Sequence, residues 1–317
     1  MDRKDDIIRE LDTLRVFETK QRQGFKARAY SKVIQALKAH TGRIRTIEDI
    51  ADIPGIGDGI RSKIEEILAT GELKVASDVR NDNKLFDELM HIYGVGPAKA
   101  NDLIQMGVDS LEYIRQHPEV LNEKQRIGLK YYYDFLERIP RDEMDKHNNY
   151  IRGVVKRVAK SLGVRVTIVG SYRRGAENSG DIDVLISFPG LANSLQLDTF
   201  NSVISAMKKS SYITDVLAEG NHKCMGVCKL VRSAGAKHRR LDLLLTPDNE
   251  YAFAMLYFTG SDAFNIACRV KAREKGYSLS EHGLRSINTD APAVSSLTSE
   301  KEILKFIGVK YVPPNRR

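Results

Sequence analysis

GSYRRGAENSGDIDVLISF, residues 170–188, holds the features on which the reading of this chain turns. Asp181 and Asp183 stand two apart at the head of a β-rich run, IDVLISF (182–188). Alternate residues of a strand project from one face, so both carboxylates point the same way. A run before it, VRVTIVG (164–170), leads into Gly170-Ser171, and a later one, RLDLLLT (240–246), adds Asp242 on another strand. Carboxylates offer the hard oxygen ligands that suit Mg²⁺. Two such ions held about 3.5–4 Å apart activate an attacking hydroxyl and neutralise a leaving pyrophosphate. Arg173, Arg174 and Gly175 add donors and open backbone for a triphosphate. Alone, an Asp-x-Asp pair or a surface turn with two solvated arginines carries little meaning. The combination of Gly-Ser, Asp-x-Asp and a distant strand aspartate is the signature of nucleotidyl transfer.

Toward the amino terminus the pattern changes. Up to about Pro140, apolar positions recur at three and four, as in Ile7, Leu11, Leu14 and in Val33, Ile34, Leu37, which predicts helices. The fold class expected is therefore α+β, an all-helical amino-terminal half followed by a sheet-containing half. The helical half repeats itself. Ile53-Pro54-Gly55-Ile56-Gly57 precedes IRSKIEEIL, and Tyr93-Gly94-Val95-Gly96-Pro97 precedes AKANDLI. One such turn reads equally well as a glycine-capped helix end. Two of them, each aiming the amides of a helix start outward past a glycine turn, match the helix-hairpin-helix design that grips DNA phosphates without reading bases.

Composition agrees with a polyanionic partner: Lys plus Arg number 50 against 42 Asp plus Glu, giving +8 and a pI near 9.2. The 317 residues suffice for two or three units, since domains run about 100–200 residues. Three cysteines, Cys224, Cys228 and Cys268, form no disulfide framework, and the charged start MDRKDDIIRE lacks a signal peptide's apolar core. These features predict a soluble, reducing, intracellular setting. Cys224 and Cys228 beside His222 lack a fourth zinc ligand at suitable spacing and read as buried thiols on a strand. No run of about eighteen apolar residues predicts a membrane span.

GSYRRGAENSGDIDVL, KYYYDFLERIPRDEM, YFTGSDAFN and LATGEL together resemble the polymerase β family, family X of the DNA polymerases, over almost the whole chain. The resemblance implies four parts: a helical 5′-deoxyribose phosphate lyase domain with the first hairpin (1–78), a DNA-binding subdomain with the second (79–139), a catalytic palm (140–248), and a small carboxy-terminal α/β subdomain that selects the nucleotide (249–317). It implies that Asp181 and Asp183 bind both of two Mg²⁺ ions, for which Mn²⁺ substitutes. Asp242 then binds the catalytic ion and helps deprotonate the primer 3′-hydroxyl. Arg138, Ser171, Arg174 and Gly180 would hold the triphosphate. Tyr257, Phe258 and Gly260 would exclude a ribose 2′-hydroxyl, Asp262 and Asn265 would lie against the incoming base, and Arg269 on the template. Read without the resemblance, Tyr257 and Phe258 pass as core aromatics.

By the same resemblance Lys63 is the lyase nucleophile, forming a Schiff base with the open-chain sugar of an abasic site. Lys26 and Tyr30 match its pocket, and Gly55, Gly57, Gly94 and Gly96 the DNA-gripping hairpins, where Na⁺ or K⁺ is a further candidate ligand. Phe25, Gly59, Ser62 and Val75 depart from the family's usual His, Lys, Glu and Lys. Leu244 stands where the family carries an arginine that pairs with the carboxylate matching Asp183, and His282, beside Glu281, stands where it has a tyrosine. The expectation from that change is a set of metal carboxylates without that competing cation.

The function expected is template-directed synthesis that fills short gaps in base-excision repair, on gapped or nicked double-stranded DNA with deoxynucleoside triphosphates, by a monomer. A DNA-containing compartment, the nucleus or another, or a virion, is its expected place. A template-independent nucleotidyltransferase shares the Gly-Ser and Asp-x-Asp motifs, but the paired hairpins and Arg269 favour a template. A non-catalytic DNA-binding module is disfavoured by three intact carboxylates.

Overall fold

A computed structural model describes residues 2–20, 23–160, 163–231, 235–288, 294 and 297–317. They fall into two compact units, one ending at Leu121 and one beginning at Asn122.

The first unit is helical. The helices Lys4–Lys20, Gly24–Ala39, Asp58–Thr70 and Lys74–Met90 bury one apolar core. Ile7, Leu11 and Leu14 from the first, Val33, Ile34 and Leu37 from the second, and Ile64 and Ile67 from the third all lie within it. Each such side chain contributes roughly 1.5–3 kcal/mol by leaving water. Within this unit Glu10 is fully buried and is compensated by Arg9 at 3.1 Å and Arg80 at 2.9 Å. Both glycine turns take the backbone an ordinary residue avoids, with φ of +95° at Gly55 and +87° at Gly94. Gly57 and Gly96 then cap the helices Asp58–Thr70 and Pro97–Gln105, neither with a side-chain acceptor. The first-turn amides of both helices are thus left without a capping side chain.

Among the described residues of the second unit the strands are β1 (Ile139–Pro140), β2 (Arg165–Ile168), β3 (Asn178–Ser179), β4 (Ile182–Ser187), β5 (Ile213–Gly220), β6 (Lys223–Cys228), β7 (Arg239–Leu245), β8 (Tyr277–Ser280) and β9 (Gly283–Ser286). β2, β4, β7, β6 and β5, in that spatial order, make one five-stranded sheet in which only β4 and β7 are parallel. β1 pairs with β3 and β8 with β9.

Strand alternation sorts the sheet's two faces. Ile182, Val184 and Ile186 of β4 and Leu241, Leu243 and Leu245 of β7 join a core with the helices Arg141–Ala159 and Asn193–Lys209, through Ile151, Val155, Phe200 and Ile204. Asp183, Asp242 and Leu244 occupy the intervening positions. The three β-rich runs expected from sequence are β2, β4 and β7, trimmed at their ends. β5 has no clean apolar alternation. It lies at the sheet edge, its pairing with β6 is irregular, and there Gly226 lets the chains approach so closely that a Cβ would sit 2.9 Å from Asp215 O.

The carboxy-terminal part packs the helices Tyr251–Thr259, Asp262–Glu274 and Glu300–Phe306 against β8 and β9 through Phe253, Leu256, Cys268, Leu284 and Ile303. All three cysteines are buried and unpaired. Burial pushes the Cys224 thiol to about 11, Cys228 to about 12 and Cys268 to about 11, so they are inert core groups.

One buried ion pair fixes the start of β7. Arg239, 3% exposed, grips Glu143 in the first turn of the helix Arg141–Ala159 with bonds of 2.7 and 2.8 Å. Burial alone would raise the Glu143 carboxyl, but His147 and Arg239 outweigh it and hold it at about 2 against an ordinary 4.5. A carboxyl lowered on folding stabilises the protein above its unfolded value and loses that contribution as pH falls toward the folded one. Glu143→Gln should therefore lower the unfolding free energy at pH 7 by about 3 kcal/mol, because it strands a buried guanidinium. It should also flatten the fall in stability between pH 4.5 and 2. Denaturant melts across that range check both, and a variant with the wild-type slope contradicts the assignment.

Candidate active site

The parallel register of β4 and β7 sets Asp183 directly beside Asp242. Asp181 precedes β4 by one residue and shares their side of the sheet. Asp183 is raised well above the ordinary carboxylate range, by burial first and then by the charges of Asp181 and Asp242. Asp242 is raised too, chiefly by burial. The aspartates do not form a closed cage: among the described residues no three His, Cys, Asp or Glu side chains converge as a metal would require. Asp181 is paired with Arg240, and Asp242 lies 3.5 Å from the Lys223 ammonium of β6. Both cations lie at the outer two carboxylates, and neither comes from position 244. Leu244 instead packs with Val169, Leu185, Ala254 and Phe258, between the sheet and the helix Tyr251–Thr259. His282 is paired with Glu250 at 2.7 Å, and its other ring nitrogen is 3.9 Å from Glu281. The chemistry of the set still fits a divalent cation, because three carboxylates on one face offer the hard oxygen donors that Mg²⁺ takes.

A short helix, Gly170–Arg173, abuts the carboxylates. Gly170 has φ +61°, and a Cβ there would meet Asp183 Oδ2 at 3.3 Å, so only glycine lets the turn lie this close. Ser171 Oγ donates to Ser179 Oγ at 2.9 Å. Arg138 donates to the Asn178 side chain at 2.8 Å and reaches within 3.0 Å of where a Gly180 Cβ would stand. Arg174 donates to the Thr259 carbonyl at 2.6 Å and lies 3.1 Å from a Cβ built on Gly260. Gly180 thus adjoins Asp181 and Ser171 follows the Gly170 that abuts Asp183, while Arg138 reaches Gly180 and Arg174 reaches the Tyr257–Gly260 segment.

That segment ends a helix whose Phe258 is partly buried, edge-on to Tyr257 with ring centres 5.0 Å apart. Tyr257, Asn265 and Arg269 line one small pocket, with the Arg269 guanidinium 5.3 Å from the Tyr257 ring. Asn265 is buried and donates to the Tyr257 carbonyl at 2.7 Å, while Asp262 and Arg269 are exposed.

In the first unit a cleft of about 280 Å³ is lined by Lys26, Tyr30, Gly55, Gly57 and Lys63, and by Gly59 among the departures. The Lys63 ammonium donates to the Gly59 carbonyl at 2.8 Å, and Lys26 lies 3.7 Å from Glu18. Phe25, next to Lys26, is 82% exposed. Gly94 and Gly96 belong to the separate second hairpin.

Several participants escape a reading of the sequence. Arg240 shares the alternation of Asp242 and was accessible to it. Lys223 depends on the β6–β7 register. Glu300 receives two bonds from Arg173, at 3.0 and 2.7 Å, and one from Arg317 at 2.6 Å. Arg173 also donates to Thr259 Oγ1 at 2.5 Å.

A sheet that presents aspartates from adjacent parallel strands, backed by helices and faced by a Gly-Ser turn, defines a polymerase-type nucleotidyltransferase palm. Comparison with known families agrees. The DNA polymerase beta palm matches residues 138–248, the DNA polymerase beta thumb 254–317, the fingers domain of DNA polymerase lambda 87–136, and a helix-hairpin-helix domain 2–73. The chain belongs to the DNA polymerase β/λ family, family X. It is 33% identical to DNA polymerase lambda of Rattus norvegicus over 324 residues, covering 98% of this chain and 56% of that protein. It is 30% identical to DNA polymerase lambda of Arabidopsis thaliana over 311 residues, covering 91% and 57%. The chain thus spans a little over half the length of these relatives. Family membership implies divalent metal use in general, and the matched domains imply DNA binding. No described helix is long and apolar enough to cross a membrane.

Glu300 tests how this assembly is held. Burial raises its carboxyl, but Arg173 and Arg317 outweigh burial and hold it below the usual range. Glu300→Gln strands two guanidinium groups, one of them, Arg317, with its side chain fully buried. It should cost about 3 kcal/mol and lower the melting midpoint by roughly 5–10 °C, as calorimetry reads directly. An unchanged midpoint contradicts this role.

Proposed function

We propose that this chain is a template-directed DNA polymerase that fills short gaps during base-excision repair and also acts as a 5′-deoxyribose phosphate lyase. The observation that carries the reading is the pairing of Asp183 with Asp242 on adjacent strands, with the Gly170 turn held against them. The division into lyase (1–78), DNA-binding (79–139), palm (140–248) and nucleotide-selecting (249–317) parts belongs to the same proposal, as does residence in a nucleus or another DNA-containing compartment, or a virion.

Asp181 and Asp183 would hold two Mg²⁺ ions, replaceable by Mn²⁺, and Asp242 would help hold the catalytic one. When bound, the metal lowers the proton affinity of the primer 3′-hydroxyl and offsets the charge of the departing pyrophosphate. Asp242 accepts the hydroxyl proton on a carboxylate oxygen. Arg138, Ser171, Arg174 and the Gly180 backbone orient the triphosphate of the incoming nucleotide. Tyr257, Phe258 and Gly260 close the space beside the sugar, Asp262 and Asn265 flank the base, and Arg269 holds the template. The hairpins at Gly55, Gly57, Gly94 and Gly96 grip gapped or nicked duplex by its phosphates, with Na⁺ or K⁺ there as a further ligand. In the cleft of the first unit, the Lys63 amine, its proton lost to solvent, adds to the open-chain sugar aldehyde and expels water to form a Schiff base. From it β-elimination releases the phosphate, with Lys26 and Tyr30 lining the same pocket.

Primer extension on a gapped, 5′-phosphorylated duplex, with and without template bases, tests the reading. Synthesis confined to the templated gap supports it, and untemplated addition of similar yield overturns it. Asp181→Ala, Asp183→Ala and Asp242→Ala should each cut extension by about a thousandfold or more, since a lost metal ligand removes several kcal/mol of transition-state stabilisation. Duplex affinity should stay within about twofold, because phosphate contacts carry it. Near-normal extension by any of the three would remove that residue from the site.

The lyase part is checked by borohydride, which reduces a Schiff base to a stable amine. On a pre-incised abasic duplex the trapped adduct should map to Lys63 and disappear in Lys63→Ala. An adduct mapped to another lysine, or none, would show that Phe25, Gly59, Ser62 and Val75 mark a relocated or lost activity.

A further inference from the structure

We propose that Lys223 is a built-in competitor for the metal site: its ammonium holds Asp242 before a divalent cation enters and is displaced by that cation. The inference rests on the reading of Asp181, Asp183 and Asp242 as metal ligands and concerns a residue that reading does not use. β6 lies beside β7, and the register sets Lys223 opposite Leu244 and Met225 opposite Asp242. Lys223 reaches along the strand from the leucine's row to the carboxylate, where Nζ lies 3.5 Å from Asp242 Oδ2. The charge missing from position 244 of β7 is supplied from the facing position of its neighbour.

Charge counting gives the consequence. In their ionised, metal-binding form three carboxylates face two cations, Lys223 and Arg240, leaving a deficit of one positive charge. A divalent ion brings two, so its arrival favours the release of a resident cation. The two residents differ. Arg240 donates from one guanidinium nitrogen to Asp181, has a further interaction in the fold, and is the less exposed of the two. Lys223 is a point charge on a flexible stem, with 44% of its side chain exposed. It is the resident that swings into water at least cost. Lys223 is accordingly a positioning residue that sets how much metal is needed to fill the site, without touching the reacting atoms.

The test is Mn²⁺ binding to the full chain without DNA or nucleotide, followed by the electron paramagnetic resonance signal of the free ion. Removing an exposed competing charge is worth a few-fold, so Lys223→Met and Lys223→Gln should each tighten the Mn²⁺ dissociation constant by about threefold to fivefold. Lys223→Arg should keep the wild-type value. Lys208→Met, which removes a lysine paired with Glu219 at 2.6 Å, should leave it unchanged and so separates a local effect from net charge. Adding Leu244→Arg to Lys223→Met should return the constant toward wild type. If Asp242→Ala abolishes binding while Lys223→Met and Lys223→Gln bind as wild type or more weakly, the competitor role fails alone. If Asp242→Ala binds Mn²⁺ like wild type, the metal-ligand reading fails and this inference with it.

Discussion

The sheet-containing half of this protein depends on the one parallel pairing in its main sheet. β4 and β7 come from segments far apart in sequence, and their register alone decides which aspartates meet. A slip of one residue on either strand would send Asp183 or Asp242 into the helix-packed core and bring Ile182, Val184, Leu241 or Leu243 out. Six aliphatic side chains on the inner face thus secure the polar chemistry on the outer one. The Arg239–Glu143 pair adds a polar constraint at the start of β7, tying its first residue to the long helix behind the sheet.

On the outer face, burial first and mutual repulsion second raise Asp183 and Asp242, and the fold moderates this with cations from two different strands. Arg240 comes from the strand that carries Asp242, Lys223 from the strand next to it. A further carboxylate, Glu300, gathers Arg173 and Arg317, while Arg174 donates to the Thr259 carbonyl. Two consecutive arginines thus both reach Thr259, one through its hydroxyl and the other through its carbonyl, and only Arg173 also holds Glu300.

Much of this was legible in the residues. Periodicity three and four marked the core of the first unit because Ile7, Leu11, Leu14, Val33, Ile34 and Leu37 each face a common interior. Alternation marked β2, β4 and β7, and with them the side of the sheet on which the aspartates lie. The hairpins were visible because left-handed backbone demands glycine at Gly55 and Gly94. What stayed hidden was long-range register. Nothing local says that Lys223 faces Leu244, that Glu300 meets Arg173, or that β5 forms an edge strand despite its charges. The expected three-way carboxylate cluster illustrates the limit: its members share a face, but each outer one has found a cation. The lyase residues were legible only through resemblance, since an exposed lysine after a glycine turn has no pattern of its own.

The placement of the three cysteines has a practical corollary. Cys224 and Cys228 lie sealed in the palm core and Cys268 in the core of the carboxy-terminal part. A thiol with its proton held this firmly and no access to solvent reacts with an alkylating reagent only when the layer around it opens. Mass-spectrometric labelling of Cys224, Cys228 and Cys268, peptide by peptide, therefore times the opening of two separate layers of one chain with no label engineered into it. The ratio of the two rates would say whether the carboxy-terminal part loosens before the sheet or together with it.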